Sequence, residues 1–372
     1  MNHTDLQQQI AINFLPNIGC KRMRSILSHT KTISNFFKAT KKDLLSVPSI
    51  GKHLIKNLNR DVALKMAEPY AEYFSKSSFN THFFQDKNFP TRLNECSDAP
   101  LLLFSNGNMD FNVQKTVAIV GTRNASLYGK NMCEELIHSF VGKNILVVSG
   151  LAYGIDVFVH QLCVKNNIQT IGVLGHGLDR LYPTSHTKIA KKIQTNGGLL
   201  TEFLPGTNPD RENFPMRNRI VAGMCDATIV IESGIKGGSL ITAELANDYN
   251  RDVFAFPGDI QREFSKGCNF LIQKNKAHLI TGSKDFLKLM EWDDTPNSNS
   301  KKADLFSHPT IIGLNEDEKS IIQCFKEKSN LTFDHLMYTT KLSFSKLSGG
   351  LLNLEFSGLI RTLPGKIYKL II

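Results

Sequence analysis

The sequence predicts a doubly wound α/β domain, a mostly parallel sheet covered on both faces, between a small helical N-terminal domain and a C-terminal domain of three helices and a β-hairpin. Three observations lead there. Between residues 100 and 290, short and wholly apolar runs alternate with amphipathic stretches, as buried parallel strands and their crossover helices do. A polar, turn-rich stretch at 291–309 reads as a linker. Before residue 70 the chain carries short helical patterns punctuated by proline and glycine. At 372 residues and 41% apolar content, two or three domains can each bury a core.

The N-terminal domain, 1–70, holds a weak repeat. Leu15-Pro16-Asn17-Ile18-Gly19-Cys20-Lys21 is followed 32 residues later by Val47-Pro48-Ser49-Ile50-Gly51-Lys52-His53. Each reads apolar, proline, polar, isoleucine, glycine, then a basic helix. A helix-hairpin-helix pair would offer backbone amides at helix N-termini to phosphate, with Gly19, Lys21, Gly51 and Lys52 as contacts. Two ordinary αα-hairpins are the alternative. Residues 1–65 hold eleven Lys/Arg against three Asp/Glu, whereas 66–300 hold 23 against 24 and 301–372 ten against seven. A basic end on a neutral body points to a polyanion partner, with nucleic acid favoured over a merely solubilising face.

The central domain, 71–290, is expected to place strands at 101–104, 117–120, 145–149, 170–174, 199–203, 228–231, 253–256 and 278–280. Helices are expected at 131–140, 155–165, 187–194 and 240–248. In the C-terminal domain, 310–372, helices at 316–328, 332–340 and 346–356 precede a hairpin, 358–361 with 365–370, that turns at Pro364-Gly365. This is a winged-helix outline. Its third helix has few basic residues, which favours a protein contact or a modest DNA contact over base readout.

Several chemistries are excluded by spacing. No apolar run approaches the ~20 residues of a membrane span, and no secretory signal is visible. The seven cysteines are scattered, odd in number and without a C-x-x-C pair, so neither a disulfide framework nor a zinc site is expected, and the compartment is taken as the cytoplasm. Gly121-Thr122-Arg123 through Gly129-Lys130-Asn131 is too long for a P-loop and lacks its Ser/Thr. Gly175-His176-Gly177-Leu178-Asp179-Arg180 lacks the third glycine of a dinucleotide site. No cofactor or metal is expected.

What remains is a set of glycine turns with arginines at the carboxyl ends of strands, where such sheets bind ligands. Gly121 and Arg123 follow one strand, and Gly238 and Ser239 open a helix after another. Arg211, Phe214, Arg217 and Arg219 cluster just before another helix. Amides and guanidinium forks on one edge make an anion trough, and an aromatic beside them suits base stacking on a single strand. A core role is the alternative for Phe214.

These motifs resemble the DNA-processing protein A (DprA, or Smf) family. The resemblance rests on the stretches 117–129, Ser149-Gly-Leu-Ala-Tyr-Gly-Ile-Asp156 with His160, and Gly177-Leu-Asp-Arg-Leu-Tyr-Pro183. It continues through Thr201-Glu202, Asn213-Phe-Pro-Met-Arg-Asn-Arg219, Gly238-Ser-Leu-Ile-Thr-Ala243, Phe256-Pro-Gly258 and Lys266-Gly-Cys-Asn269. It implies a Rossmann-like domain that binds single-stranded DNA, protects it during natural transformation, loads a RecA-type recombinase and works as a homodimer rather than as an enzyme. The residues it carries over are Gly121, Thr122, Arg123, Arg211, Phe214, Arg217 and Arg219, with arginines on phosphate and Phe214 on a base. The family's usual arginine before Gly-Ile-Asp is Tyr153 here. Thr184 stands at an often basic position, with Lys188 as the nearby substitute, and Lys276-Ala277 replaces a frequent Gly-Ala. A weak duplex-DNA contact by the N-terminal domain is expected beside this, and two rival readings remain: a phosphoribohydrolase-type enzyme using Gly237-Gly238-Ser239-Leu240, and a duplex-DNA binder acting mainly through residues 1–65.

Overall fold

The computed structural model describes residues 3–48, 50–293, 314–325, 330–363 and 367–370. Most of the expected linker, the Pro364-Gly365 turn and Ser49 of the repeat lie outside the described residues. The chain forms two compact units, 1–293 and 294–372.

A nine-stranded sheet runs through the first unit. Its strands are β1 (Asn80–Phe83), β2 (Leu102–Asn108), β3 (Lys115–Val120), β4 (Ile145–Ser149), β5 (Thr170–Val173), β6 (Gly197–Thr201), β7 (Ala227–Val230), β8 (Asp252–Ala255) and β9 (His278–Leu279). The order is β1-β2-β6-β5-β4-β3-β7-β8-β9. From β6 to β9 every neighbour pair is parallel, while β2 joins β6 and β1 joins β2 antiparallel. The doubly wound, mostly parallel sheet is therefore present, and β1 is a strand that its half-polar sequence, Asn-Thr-His-Phe, did not reveal.

Alternation along β3 and β4 explains the two covered faces. Ala118, Val120, Leu146 and Val148 bury into one core with Ile220 and Val221 of the helix Asn213–Gly223 and Leu240 and Ala243 of the helix Gly238–Asp248. Val117, Ile119, Ile145 and Val147 bury into the other, with Cys133 and Leu136 of the helix Leu127–Phe140 and Val159 of the helix Ile155–Lys165. After β3 the chain adds β4, β5 and β6 on one side, then returns to place β7 on the other. This reversal opens a crevice at the carboxyl ends of β3 and β7.

The N-terminal helices share a third core with the sheet edge. Ile10, Met23, Ile26, Phe36 and Leu44 cluster with Phe83, Leu102 and Phe104, and Phe74 stacks on Phe104 with ring centroids 4.4 Å apart. The expected boundary at residue 70 falls inside the helix Arg60–Lys76. In the second unit, helices Glu316–Cys324, Phe333–Thr340 and Phe344–Phe356 pack on β10 (Asn330–Thr332), β11 (Ile360–Leu363) and β12 (Ile367–Leu370), ordered β10-β12-β11. The winged-helix outline holds. β10 is an addition, because three residues are too short a run to read as a strand.

Candidate nucleic-acid interface

The crevice at the sheet reversal is a cavity of about 610 Å³. Its walls come from the turn after β3 (Gly121, Thr122, Arg123), the turn after β4 (Gly150, Ala152, Asp156), the helix Asn213–Gly223 (Phe214, Arg217, Asn218), and the segment 233–239 after β7. Lys266 and Glu263 close one side.

The first two turns lock together. Gly154 adopts φ 78°, and a side chain there would collide with the carbonyl oxygens of Thr122 and Arg123. The amide of Ile155 donates to the Thr122 carbonyl at 3.1 Å, and the Thr122 amide donates to the Glu232 carbonyl at 2.8 Å. The buried Glu232 carboxylate accepts the Ser126 amide at 2.9 Å and the Ser126 hydroxyl at 2.5 Å, which ties the start of the helix Leu127–Phe140 to β7. Arg123 thus projects from a braced loop. It is exposed, and its guanidinium carbon lies 5.7 Å from the Phe214 ring centroid.

Phe214 is half-buried and borders a smaller, mainly apolar cleft with Tyr153, Tyr182 and His176. The Tyr182 and Phe214 rings are 6.3 Å apart and tilted by 44°. The Cδ1–Cε1 edge of Phe214 lies against Gly175, so the ring combines core contact with exposure to the site. Gly238 is exposed at the start of its helix, whereas Ser239 is buried and donates its hydroxyl to Ser233 at 2.8 Å.

Two expected phosphate contacts require correction. Arg217 borders the cavity but is only 6% exposed. It donates to the Val173 carbonyl at 2.8 Å and faces Asp156 across Gly150, whose missing side chain leaves the space they share. Burial pushes the Asp156 carboxyl up to about 6, with Arg217 opposing that rise. Arg219 is not on the cavity wall at all. It pairs with the buried Glu202 carboxylate and donates to the Asp98 carbonyl. Burial pushes Glu202 up to about 7 against the pull of Arg219. The reason is helical geometry: two residues turn a helix by about 200°, so Arg217 and Arg219 cannot serve one surface.

Arg211 and Lys188 are exposed, and neither lines the cavity. Gly19 and Gly51 cap the helices Cys20–Thr30 and Lys52–Asn57 at their N-termini, and with Lys21 and Lys52 they are exposed. The cavity also uses residues that sequence reasoning missed. Lys236 and Lys266 are exposed cations on its wall, and Asp156 is the buried partner of Arg217. Lys236 was findable, since it precedes the Gly237-Gly238 turn directly. Lys266 was not, because only the fold returns it to β7. Among the described residues, no group of three or more His, Cys, Asp or Glu could hold a metal ion, and no helix is long and apolar enough to cross a membrane.

This architecture has relatives. Residues 80–291 match the family model described as DNA recombination-mediator protein A, and residues 307–366 match the DprA winged helix domain. The chain is 42% identical over 207 residues to a DNA processing protein DprA of Streptococcus pneumoniae, covering 56% of this chain and 73% of that one. It is 29% identical to a protein Smf of Synechocystis, over 99% of this chain and all of that one. The X-ray structure of the S. pneumoniae DprA superposes with a TM-score of 0.57 at 33% identity, covering 77% of this chain and 93% of that one. A DNA processing protein A from Helicobacter pylori, whose structure is described as giving insight into its single-stranded DNA binding mode, superposes with a TM-score of 0.53 at 28% identity, covering 58% and 97%. The chain therefore belongs to the DNA recombination-mediator protein A family.

Proposed function

We propose that this chain binds single-stranded DNA without sequence preference in the crevice at the sheet reversal, protects it, and passes it to a RecA-type recombinase in the cytoplasm. It does so as a homodimer and not as an enzyme. The observation that carries the reading is that three exposed cations, Arg123, Lys236 and Lys266, line the same cavity as the half-buried ring of Phe214. Cations that neutralise phosphates and a ring that takes any base's π-face hold a strand irrespective of sequence. The relative from H. pylori, described as a single-stranded DNA binder, supports the same ligand.

Fluorescence anisotropy with single-stranded and duplex oligonucleotides of equal length tests it. The three wall cations give a log–log salt slope of about −2 on single strands, and engagement of Arg211 and Lys188 as well steepens it to about −3.5. A preference for single strands that weakens in Arg123→Ala supports the reading. A slope near zero, or duplex preference indifferent to Arg123, overturns it.

One observation favours the enzymatic alternative. Asp156 is a buried carboxyl on the cavity wall, pushed up to about 6 by burial, as many acid–base groups are. Release of free base from nucleoside monophosphates, lost in Asp156→Asn, would establish it. Its engagement with Arg217 fits a structural brace better.

A further inference from the structure

We propose that Tyr153 is a second base platform, so that a strand crossing the crevice lays one base on Phe214 and a neighbouring base on Tyr153. This rests on the single-strand reading of the crevice and adds a subsite to it.

The cleft beside the main cavity is bordered by Arg123, Phe214, Tyr182 and Tyr153. Tyr153 stands on the turn after β4, on the same carboxyl edge of the sheet as Arg123. It is 48% exposed, yet its ring is held in place. One side meets His186 edge-on, with centroids 4.9 Å apart at 71°, and the phenol oxygen accepts a hydrogen bond from the Ser185 hydroxyl at 3.3 Å. His186 is itself buried and bonded to the Leu151 carbonyl at 2.9 Å, so it is a firm backing. Among the described residues, no other ring contacts Tyr153. An aromatic fixed on one side and open on the other can stack a base while losing little side-chain freedom.

The gap between the neighbouring rings does not offer this second place. A base inserted between two rings needs them about 7 Å apart and parallel, twice the contact distance. Tyr182 and Phe214 are 6.3 Å apart and tilted by 44°, so Tyr182 backs Phe214 and closes the gap between them. The Arg123 guanidinium carbon lies 5.7 Å from the Phe214 ring centroid, which puts a cation beside a base at that ring. Of the two exposed tyrosines that border the cleft, Tyr153 at 48% and Tyr182 at 47%, Tyr182 is tilted against Phe214 whereas Tyr153 is braced by His186 and Ser185, which leaves Tyr153 as the platform for the neighbouring base. The exposed Lys188 lies three residues beyond Ser185, in the helix Thr187–Ile193, and supplies a cation on that side.

The test uses the full chain and unlabelled-sequence bias is avoided with oligothymidylate. Tyr153→Ala is expected to raise Kd about 5- to 150-fold with the salt slope unchanged, the signature of a lost stack. Tyr153→Phe is expected to stay within twofold, because the π-face remains. Tyr153→Arg is expected to steepen the slope by about 0.7, as one added phosphate contact would. Photo-cross-linking of a 5-iodouracil strand, followed by peptide mapping, is expected to mark Tyr153 in the wild type. A wild-type Kd for Tyr153→Ala, with no cross-link at Tyr153 and with Phe214→Ala still weakened, overturns the second platform alone. Wild-type binding by Arg123→Ala and Phe214→Ala as well overturns the crevice reading on which it rests.

Discussion

Phe214→Ala separates stacking from charge. Among the described residues, the ring lies near the Arg123 guanidinium, 5.7 Å from its centroid, the Tyr182 ring, with centroids 6.3 Å apart, and Gly175, where an added Cβ would sit 3.2 Å from Phe214 Cδ1. Removing a base–aromatic stack costs ~1–3 kcal/mol, so Kd for a single strand should rise about 5- to 150-fold. No charge is removed, so the salt slope should stay as in the wild type. Full burial would make the truncation cost ~3–5 kcal/mol of stability, and for a half-buried ring about half of that is expected. Urea unfolding would measure the stability loss, and anisotropy across a salt series would measure affinity and slope together. Phe214→Leu keeps most of the packing without the π-face, so it should bind like the alanine variant yet unfold like the wild type. A Kd within twofold of wild type in Phe214→Ala would refute the stack and leave the ring as core. A slope reduced by about 0.7 would refute it differently, by showing that the ring acts only through placing Arg123.

Arg123→Ala should weaken binding uniformly across sequences and flatten the slope by about 0.7, with little change in unfolding because the side chain is exposed. Arg219→Ala should do the reverse: Glu202 loses its partner and takes up a proton, which costs ~1–3 kcal/mol in urea unfolding, while the salt slope of the folded protein is unchanged. Glu202 gives a pH signature. Its folded pKa, about 7, lies above the unfolded value of 4.5, so the native state binds the proton more tightly and stability falls as pH rises through about 4.5 to 7. Asp156 acts in the same sense from 3.8 to about 6, and His160, lowered to about 4 by burial, in the opposite sense. Unfolding measured from pH 5 to 7 in Glu202→Gln should therefore decline less with pH than in the wild type. Lys21→Ala with Lys52→Ala should lower affinity for both strand types and keep the single-strand preference. Point changes are the right tool because deleting residues 1–65 would uncover Phe83, Leu102 and Phe104 on the sheet edge.

Local pattern carried the parallel sheet, the glycine turns at its carboxyl ends and the helices between them, because each is set by neighbours within a few residues. β3 reads as a strand from Val-Ala-Ile-Val alone, and the turn at Gly121 from the end of that run. The same locality limited the site. Arg211, Arg217 and Arg219 are equivalent in a string of letters, but only the fold decides what each meets. Arg217 turns inward to Asp156, and Arg219 turns to Glu202 and to Asp98, 121 residues away in sequence. A guanidinium becomes a strut or a phosphate contact according to the partners that the strand order delivers, and strand order is a long-range property. Lys236 and Lys266 join Arg123 for the same reason. The residue types of the site were legible in the chain; which of them face the solvent was settled by packing, since burial of a charge is decided by the whole set of elements that surrounds it.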